Sequence, residues 1–186
     1  MRVIAGTARS MPLRTVKSMN IRPTTDRTKE TLFNILQGRI PGCRFLDLFA
    51  GSGSIGIEAL SRGAACAYFV ENTRVHQDLI LENLEFTKLT KGAHLEKGDV
   101  LTVLHRLEGK EPFDVIFMDP PFDQGLEKPV LTYLSGSRLL AEGGWIVVEC
   151  SPKTDFSYLP ELGLTCVKER VYGKSRHLFL ERITED

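Results

Sequence analysis

The sequence predicts an α/β fold: an open, mostly parallel sheet with helices on both faces and ligands held along the carboxyl ends of its strands. Three observations carry that prediction. From Arg44 onward short apolar runs alternate with amphipathic stretches, one run breaks into the glycine pattern Gly51-Ser52-Gly53-Ser54-Ile55-Gly56, and Asp47, Glu71, Asp99 and Asp119 stand at or just after the ends of four runs. With 186 residues, 42% of them hydrophobic, the chain can bury one good core, so a single domain is expected.

The elements follow in order. Arg2 to Ala5 and Leu13 to Val16 are strand-like around Gly6 and Pro12 and predict a short β-hairpin. Thr24, Thr25 or Asp26 can cap a helix whose apolar face is Leu32, Phe33, Ile35 and Leu36, and Pro41-Gly42 stops it. This front segment, residues 1–43, reads as an extension of a nucleotide fold that starts at about Arg44 and runs over 44–186. Phe45 to Phe49 is a buried parallel strand that meets the glycines, with a helix after them. Ala65 to Glu71 is the next strand, Arg74 to Phe86 a helix with Leu79, Ile80 and Leu84 on one face, and Ala93 to Lys97 a shorter strand. A helix through Leu101, Leu104 and Leu107, a strongly apolar strand from Phe113 to Met118, a helix within Leu126 to Leu140 and a strand from Gly144 to Glu149 complete the alternation. Leu164 to Tyr172 and His177 to Arg182 predict a closing hairpin across Gly173.

The glycine turn between strand and helix is a nucleotide cradle, because glycine lets the backbone approach a ligand and the free N–H groups of the helix start face it. The spacing alone is weak. Asp47 sharpens it, since a carboxylate on that strand suits a ligand carrying an ammonium or sulfonium, and Glu71, 20 residues after Gly51, can accept from both hydroxyls of a ribose. Asp99 can accept from an adenine amine while the Val100 N–H meets a ring nitrogen; Asp99 can equally cap the following helix. In Asp119-Pro120-Pro121-Phe122 two prolines stiffen the backbone, so that the Asp119 carboxylate and the Pro120 carbonyl converge on one point and the Phe122 ring is available for stacking. Such a clamp fits the exocyclic amine of a base. Drawing on both of its N–H groups frees the nitrogen lone pair for in-line attack on a methyl sulfonium.

Net charge is zero, yet residues 1–44 carry +7 and the remainder −7. A basic front on an acidic body points the first segment, with Arg9, Arg14, Lys17 and Arg22, at a polyanion. The four cysteines are scattered without C-x-x-C, which suggests reduced thiols and neither a zinc site nor a disulfide framework. No long apolar segment or signal peptide is seen, so a soluble cytoplasmic protein without membrane or metal is expected.

Arg22-Pro23-Thr24-Thr25-Asp26-Arg27 with Glu30 to Asn34, then Leu46 to Gly53, Ile57 to Ala64 and Asp119 to Phe122, resembles the RsmD-type bacterial 16S rRNA guanine-N2 methyltransferases, a family of class I S-adenosylmethionine-dependent enzymes. The resemblance spans nearly the whole chain. It implies a Rossmann-like, mostly parallel seven-stranded sheet with an antiparallel C-terminal hairpin, S-adenosylmethionine as cofactor, and methyl transfer to guanine N2 of 16S rRNA, at position 966, within a small ribosomal subunit. A monomer is expected. By position, Phe49, Ala50, Gly51, Ser52 and Gly53 would pass the cofactor with Asp47 beside it. Glu71 would hold its ribose, Asp99 and Val100 its adenine, and Asp119, Pro120 and Phe122 the target base, with Asp119 also counted among the cofactor's contacts. Arg22, Thr24 and Thr25 would close over the methionine end. The chain departs from the family in carrying Arg9-Ser10-Met11-Pro12 where an arginine-glycine stretch is usual, and Phe122 for the commoner tyrosine. Three other readings compete. An adenine-N6 methyltransferase shares the clamp; an NAD-type oxidoreductase explains the glycines and Glu71 but leaves Asp119 to Phe122 unused; and an RNA-binding module explains only the basic front.

Overall fold

The computed structural model describes residues 1–16, 25–122 and 124–184. Its elements run α1 (Asp26–Leu36), β1 (Arg44–Leu48), α2 (Ser54–Ser61), β2 (Cys66–Glu71), α3 (Arg74–Thr87), β3 (Ala93–Lys97), α4 (Val100–Leu107), β4 (Phe113–Met118), α5 (Glu127–Gly136), β5 (Leu140–Cys150), β6 (Leu164–Tyr172) and β7 (Ser175–Arg182). One sheet holds all seven strands in the order β3-β2-β1-β4-β5-β7-β6. Strands β3 to β5 are parallel, and β7 lies antiparallel between β5 and β6. Strand order reverses between β1 and β4, which opens a crevice at their carboxyl ends.

Register decides what faces that crevice. Asp47 pairs with Phe117, Phe117 with Val147, and Glu149 with His177. Because side chains alternate along a strand, Asp47, Phe117, Asp119, Val147, Glu149 and His177 share one face. Phe45, Phe69, Phe117, Val147 and Phe179 pack there against Leu32, Phe33 and Leu36 of α1, Ile57 of α2, and Ile80 and Leu84 of α3. On the other face Leu46, Leu48, Ile116, Met118, Ile146 and Val148 meet Val103, Leu104 and Leu107 of α4 and Val130, Leu131 and Leu134 of α5. Both faces of the central strands β1, β2, β4 and β5 are mostly buried, as parallel strands covered by helices require.

The front segment shares this core. Val3, Ala8 and Leu13 are buried in the same cluster as α1 to α3. The expected hairpin is present in short form: an antiparallel bridge joins Arg2 to Pro12, and the Val3 N–H donates to the Met11 carbonyl at 2.9 Å, the Ser10 N–H to the Val3 carbonyl at 2.8 Å and the Leu13 N–H to the Met1 carbonyl at 3.1 Å. Gly6 presses the chain on the end of α2: a Cβ there would lie 1.8 Å from the Ser61 carbonyl oxygen. Glu58 of α2 accepts from the Ile4 and Ala5 N–H groups at 2.8 and 3.0 Å and from Arg62 Nε at 2.8 Å. Its other neighbour is Lys29, whose Nζ lies 3.5 Å away and donates to the Arg2 carbonyl at 2.6 Å and Ser54 Oγ at 3.2 Å. Both side chains are fully buried, and burial lowers the Lys29 pKa against the pull of Glu58. Glu58→Ala leaves that ammonium without its counter-charge, so a loss of about 3 to 5 kcal/mol is expected. Urea melts measure it; a change within experimental error would mean that the front segment is held by its apolar contacts alone.

Strand β5 begins at Leu140 instead of Gly144, with an irregularity in its pairing between Phe113 and Val115. The sequence Glu142-Gly143-Gly144 looks like a turn, and the irregularity absorbs it within the strand. A short 3-10 turn at Pro160–Leu162 is the other unanticipated element. Pro129 falls on the third residue of α5, inside the first turn where its missing N–H costs nothing. No helix among the described residues is long and apolar enough to cross a membrane.

Candidate active site

A cleft of about 810 Å³ opens at the carboxyl ends of β1, β2, β4 and β5. That volume falls within the range of small-molecule sites. Its floor is the turn from β1 to α2. Phe49 has φ +61° and Gly51 φ +56°, and Gly53, at φ +77°, is the residue that caps α2. A non-glycine residue held in the left-handed region, as Phe49 is, costs conformational energy that sites of function tend to carry. The glycines do different work. A Cβ on Gly56 would sit 2.3 Å from the Phe69 ring, so this glycine permits close approach of helix and strand, whereas a Cβ on Gly51, a lining residue, would meet nothing within 4 Å. Gly51 keeps backbone exposed to the cleft.

Carboxylates hold the turn in place. Asp47, 1% exposed, accepts from the Gly56 N–H at 3.0 Å and so ties β1 to the first turn of α2. Burial pushes its pKa up to about 7 against that bond, and the Glu71 charge adds to the rise. It lines the cleft as expected, but one oxygen is spent on the turn. Glu71 is likewise engaged, accepting from the Gly51 N–H at 2.9 Å and the Thr73 N–H at 2.8 Å, with His76 Nδ1 3.6 Å away. Two carboxylate oxygens offer about four acceptor positions, so two remain for a ribose diol. Asn83 of α3, 1% exposed, donates to the Ser52 and Arg14 carbonyls and accepts from the Arg14 N–H, which fastens the front segment to the glycine turn.

Asp99 realises its second expected role. It caps α4 by accepting from the Thr102 N–H at 3.0 Å, and the Thr102 hydroxyl first, with that backbone bond second, holds its pKa below the usual carboxylate range. Its side, with Val100 and Leu101, still forms cleft wall. Across the crevice stand Asp119, Pro120, Pro121 and Phe122, the ring of Phe122 37% exposed. Burial raises the Asp119 pKa well above the ordinary value, and the charges of Glu149 and then Asp47 raise it further.

Glu149 is a site residue that the sequence reading misses. It ends the apolar run Trp145-Ile146-Val147-Val148 as Glu71 and Asp119 end theirs, so the same signal is present. It lines the cleft beside Asp119 and bonds His177, whose Nε2 lies 3.0 Å from Oε2 in the fully buried β7 position. Asp47, Phe49, Ala50, Gly51, Ser52, Glu71, Asp99, Val100, Asp119, Pro120 and Phe122 thus meet in one cleft. Gly53 and Thr25 do not line it: the first caps α2 and the second caps α1 by accepting from the Thr28 N–H at 3.2 Å. Lys17, Arg22 and Thr24 lie outside the described residues. Arg9 is exposed, and Arg14 is exposed with an ion pair to Glu82 at 2.8 Å. Among the described residues no three His, Cys, Asp or Glu side chains gather as a metal-binding group.

The Asp119 shift predicts a pH effect. An ionised carboxylate offers only acceptors to an amine, whereas protonation turns one oxygen into a donor, and with its pKa raised the ionised form is lost as pH falls through that higher value. The acid limb of kcat/KM should therefore lie well above the ordinary carboxylate range; a limb near pH 4 would contradict the assignment.

The model of the family described as conserved hypothetical protein 95 matches residues 1–181. Ribosomal RNA small subunit methyltransferase D of Escherichia coli (strain K12) is 34% identical over 181 residues, covering 97% of this chain and 89% of its own. The protein of the same name from Haemophilus influenzae is 36% identical over 173 residues, covering 92% and 89%. Among solved structures, a hypothetical protein of Thermus thermophilus superposes with a TM-score of 0.82 at 31% identity, over 96% of this chain and 98% of its own.

Proposed function

The chain belongs to the conserved hypothetical protein 95 family, and from that premise we propose that it is an S-adenosylmethionine-dependent rRNA methyltransferase acting on guanine N2 of 16S rRNA. One observation carries the reading: a single cleft is lined both by a glycine turn with the carboxylate of Glu71 beside it and by Asp119-Pro120-Pro121-Phe122. S-adenosylmethionine supplies an electrophilic methyl group on sulfur, and the Gly51 backbone, Glu71, Asp99 and Val100 are the residues that would hold it. Asp119 and the Pro120 carbonyl accept from the target amine, and Phe122 stacks on its base. Positioning of this kind is worth up to about 7 to 11 kcal/mol in favourable cases. The base must leave its stack to reach the clamp, which costs about a few kcal/mol and favours a loop or single strand as target.

Guanine is favoured over adenine by donor pattern. Guanine presents N1–H and the N2 amine side by side, whereas adenine sets a lone pair beside its N6 amine, and an ionised carboxylate only accepts. Incubation with labelled S-adenosylmethionine and either 30S particles or naked 16S rRNA from cells lacking the activity, followed by mapping of the modified nucleotide, tests substrate and base together. N6-methyladenine as the principal product would overturn the guanine assignment. A shift of the melting temperature by NAD, with none by S-adenosylmethionine, would overturn the methyltransferase.

The front segment is the proposed RNA contact. Reversing Arg9, Arg14 and Lys17 to Glu should weaken RNA binding and flatten its dependence on salt, because fewer phosphate counterions are released. Filter binding across a salt series reads the slope. An unchanged slope would move the RNA footprint elsewhere.

A further inference from the structure

We propose that Glu149 is a specificity-determining residue that accepts the N1–H of the target guanine while Asp119 holds the N2 amine, an inference that rests on the guanine reading. Strand register supplies the geometry. Met118 pairs with Val148, so the residues that follow, Asp119 and Glu149, lie side by side at the carboxyl ends of adjacent parallel strands. Both side chains line the same cleft as Pro120 and Phe122. The edge of guanine carries its two kinds of donor side by side, and two neighbouring carboxylates match that edge better than one.

His177 gives Glu149 a fixed direction. The two residues are register partners across β5 and β7, and the imidazole Nε2 is 3.0 Å from Glu149 Oε2. The ring is fully buried against Tyr172 at 5.0 Å, Phe117 at 6.2 Å and Phe179 at 6.4 Å, so it cannot turn without disturbing the core. His177 is thus a positioning residue.

2-Aminopurine keeps the 2-amine but lacks O6 and presents a lone pair at N1 in place of the N–H, so the N1 contact is read from how the preference changes between enzymes that all meet the same loss of O6. Small-subunit particles are reconstituted with 16S rRNA ligated from a synthetic segment bearing guanine or 2-aminopurine at the mapped acceptor nucleotide, and kcat/KM is measured on each. Wild type should prefer guanine, and Glu149→Gln, whose amide can donate to the N1 lone pair, should shift the guanine to 2-aminopurine ratio toward 2-aminopurine by about tenfold or more. The ratio cancels intrinsic differences between the bases and any partial loss of fold. His177→Phe, which releases Glu149, should also lower the ratio, whereas a merely structural role would reduce both rates alike. Equal wild-type rates on the two bases, or a ratio unmoved in Glu149→Gln, would overturn the inference and leave guanine methylation standing. A methyl group mapped to adenine N6 would overturn both.

Discussion

Asp119→Ala should lower the rate of methyl transfer by about 10²- to 10³-fold, the cost of removing a preorganised polar partner of a reacting group, while cofactor affinity stays within a few-fold. Asp119 lies across the crevice from the glycine turn and makes none of the hydrogen bonds that hold Gly51 or Gly56. Asp119→Asn is the sharper variant, because it keeps shape while replacing one acceptor oxygen by a donor that faces the donors of the amine. It should fail nearly as badly. The same change removes a charge that burial, Glu149 and Asp47 all disfavour. A carboxyl group whose folded pKa is raised contributes stability at low pH that is lost as pH rises through that pKa, so at neutral pH the Asn variant should melt higher than wild type. An inactive variant that is more stable is the signature of a residue kept for chemistry. Single-turnover transfer, cofactor titration and thermal melts together decide it, and turnover retained in Asp119→Ala would remove the clamp from the mechanism.

The elements nearest the chemistry are the most legible. Phe113–Met118 and Ala93–Lys97 stand where their apolar pattern puts them, and the glycine spacing leads directly to the turn beneath the cleft. Carboxylates at strand ends are visible for the same reason, a charge where an apolar run stops. Glu149 shows the limit of that rule: it follows such a run, yet its neighbour Asp119 and its partner His177 come from distant segments and meet it only through register. Lys29 and Asn83 are illegible, since each looks like an ordinary polar residue on a helix. Only tertiary packing buries them, Lys29 beside Glu58 and Asn83 between Ser52 and Arg14. Gly6 illustrates a mixed case, a residue legible as a turn whose close approach to Ser61 is visible only in the packing.

Glu71→Ala should weaken S-adenosylmethionine by about a hundredfold or more, beyond what loss of the ribose contacts alone would give. The carboxylate would accept from the ribose diol, and it already accepts from the Gly51 and Thr73 N–H groups, so one substitution removes a ligand contact and releases the turn on which the ligand rests. Hydrogen bonds to a charged group are worth about 1.5 to 3 kcal/mol each, and about 1.4 kcal/mol is tenfold in affinity. Glu71→Gln separates the two contributions. Its amide oxygen can serve only one of the two backbone donors, and its NH₂ must face the other, so it should weaken binding almost as much although its size is unchanged. Asp99→Ala offers the contrast: Asp99 is exposed and its hydrogen bond is a helix cap, so the loss of affinity should be smaller and accompanied by about 1 kcal/mol of stability. Isothermal titration gives the affinities, and turnover at saturating S-adenosylmethionine supplies the check. If Glu71 acts through the cofactor, KM for S-adenosylmethionine rises in Glu71→Ala while kcat recovers most of its wild-type value. A depressed kcat with unchanged cofactor affinity would instead move Glu71 out of the ribose site and leave it as the anchor of the turn.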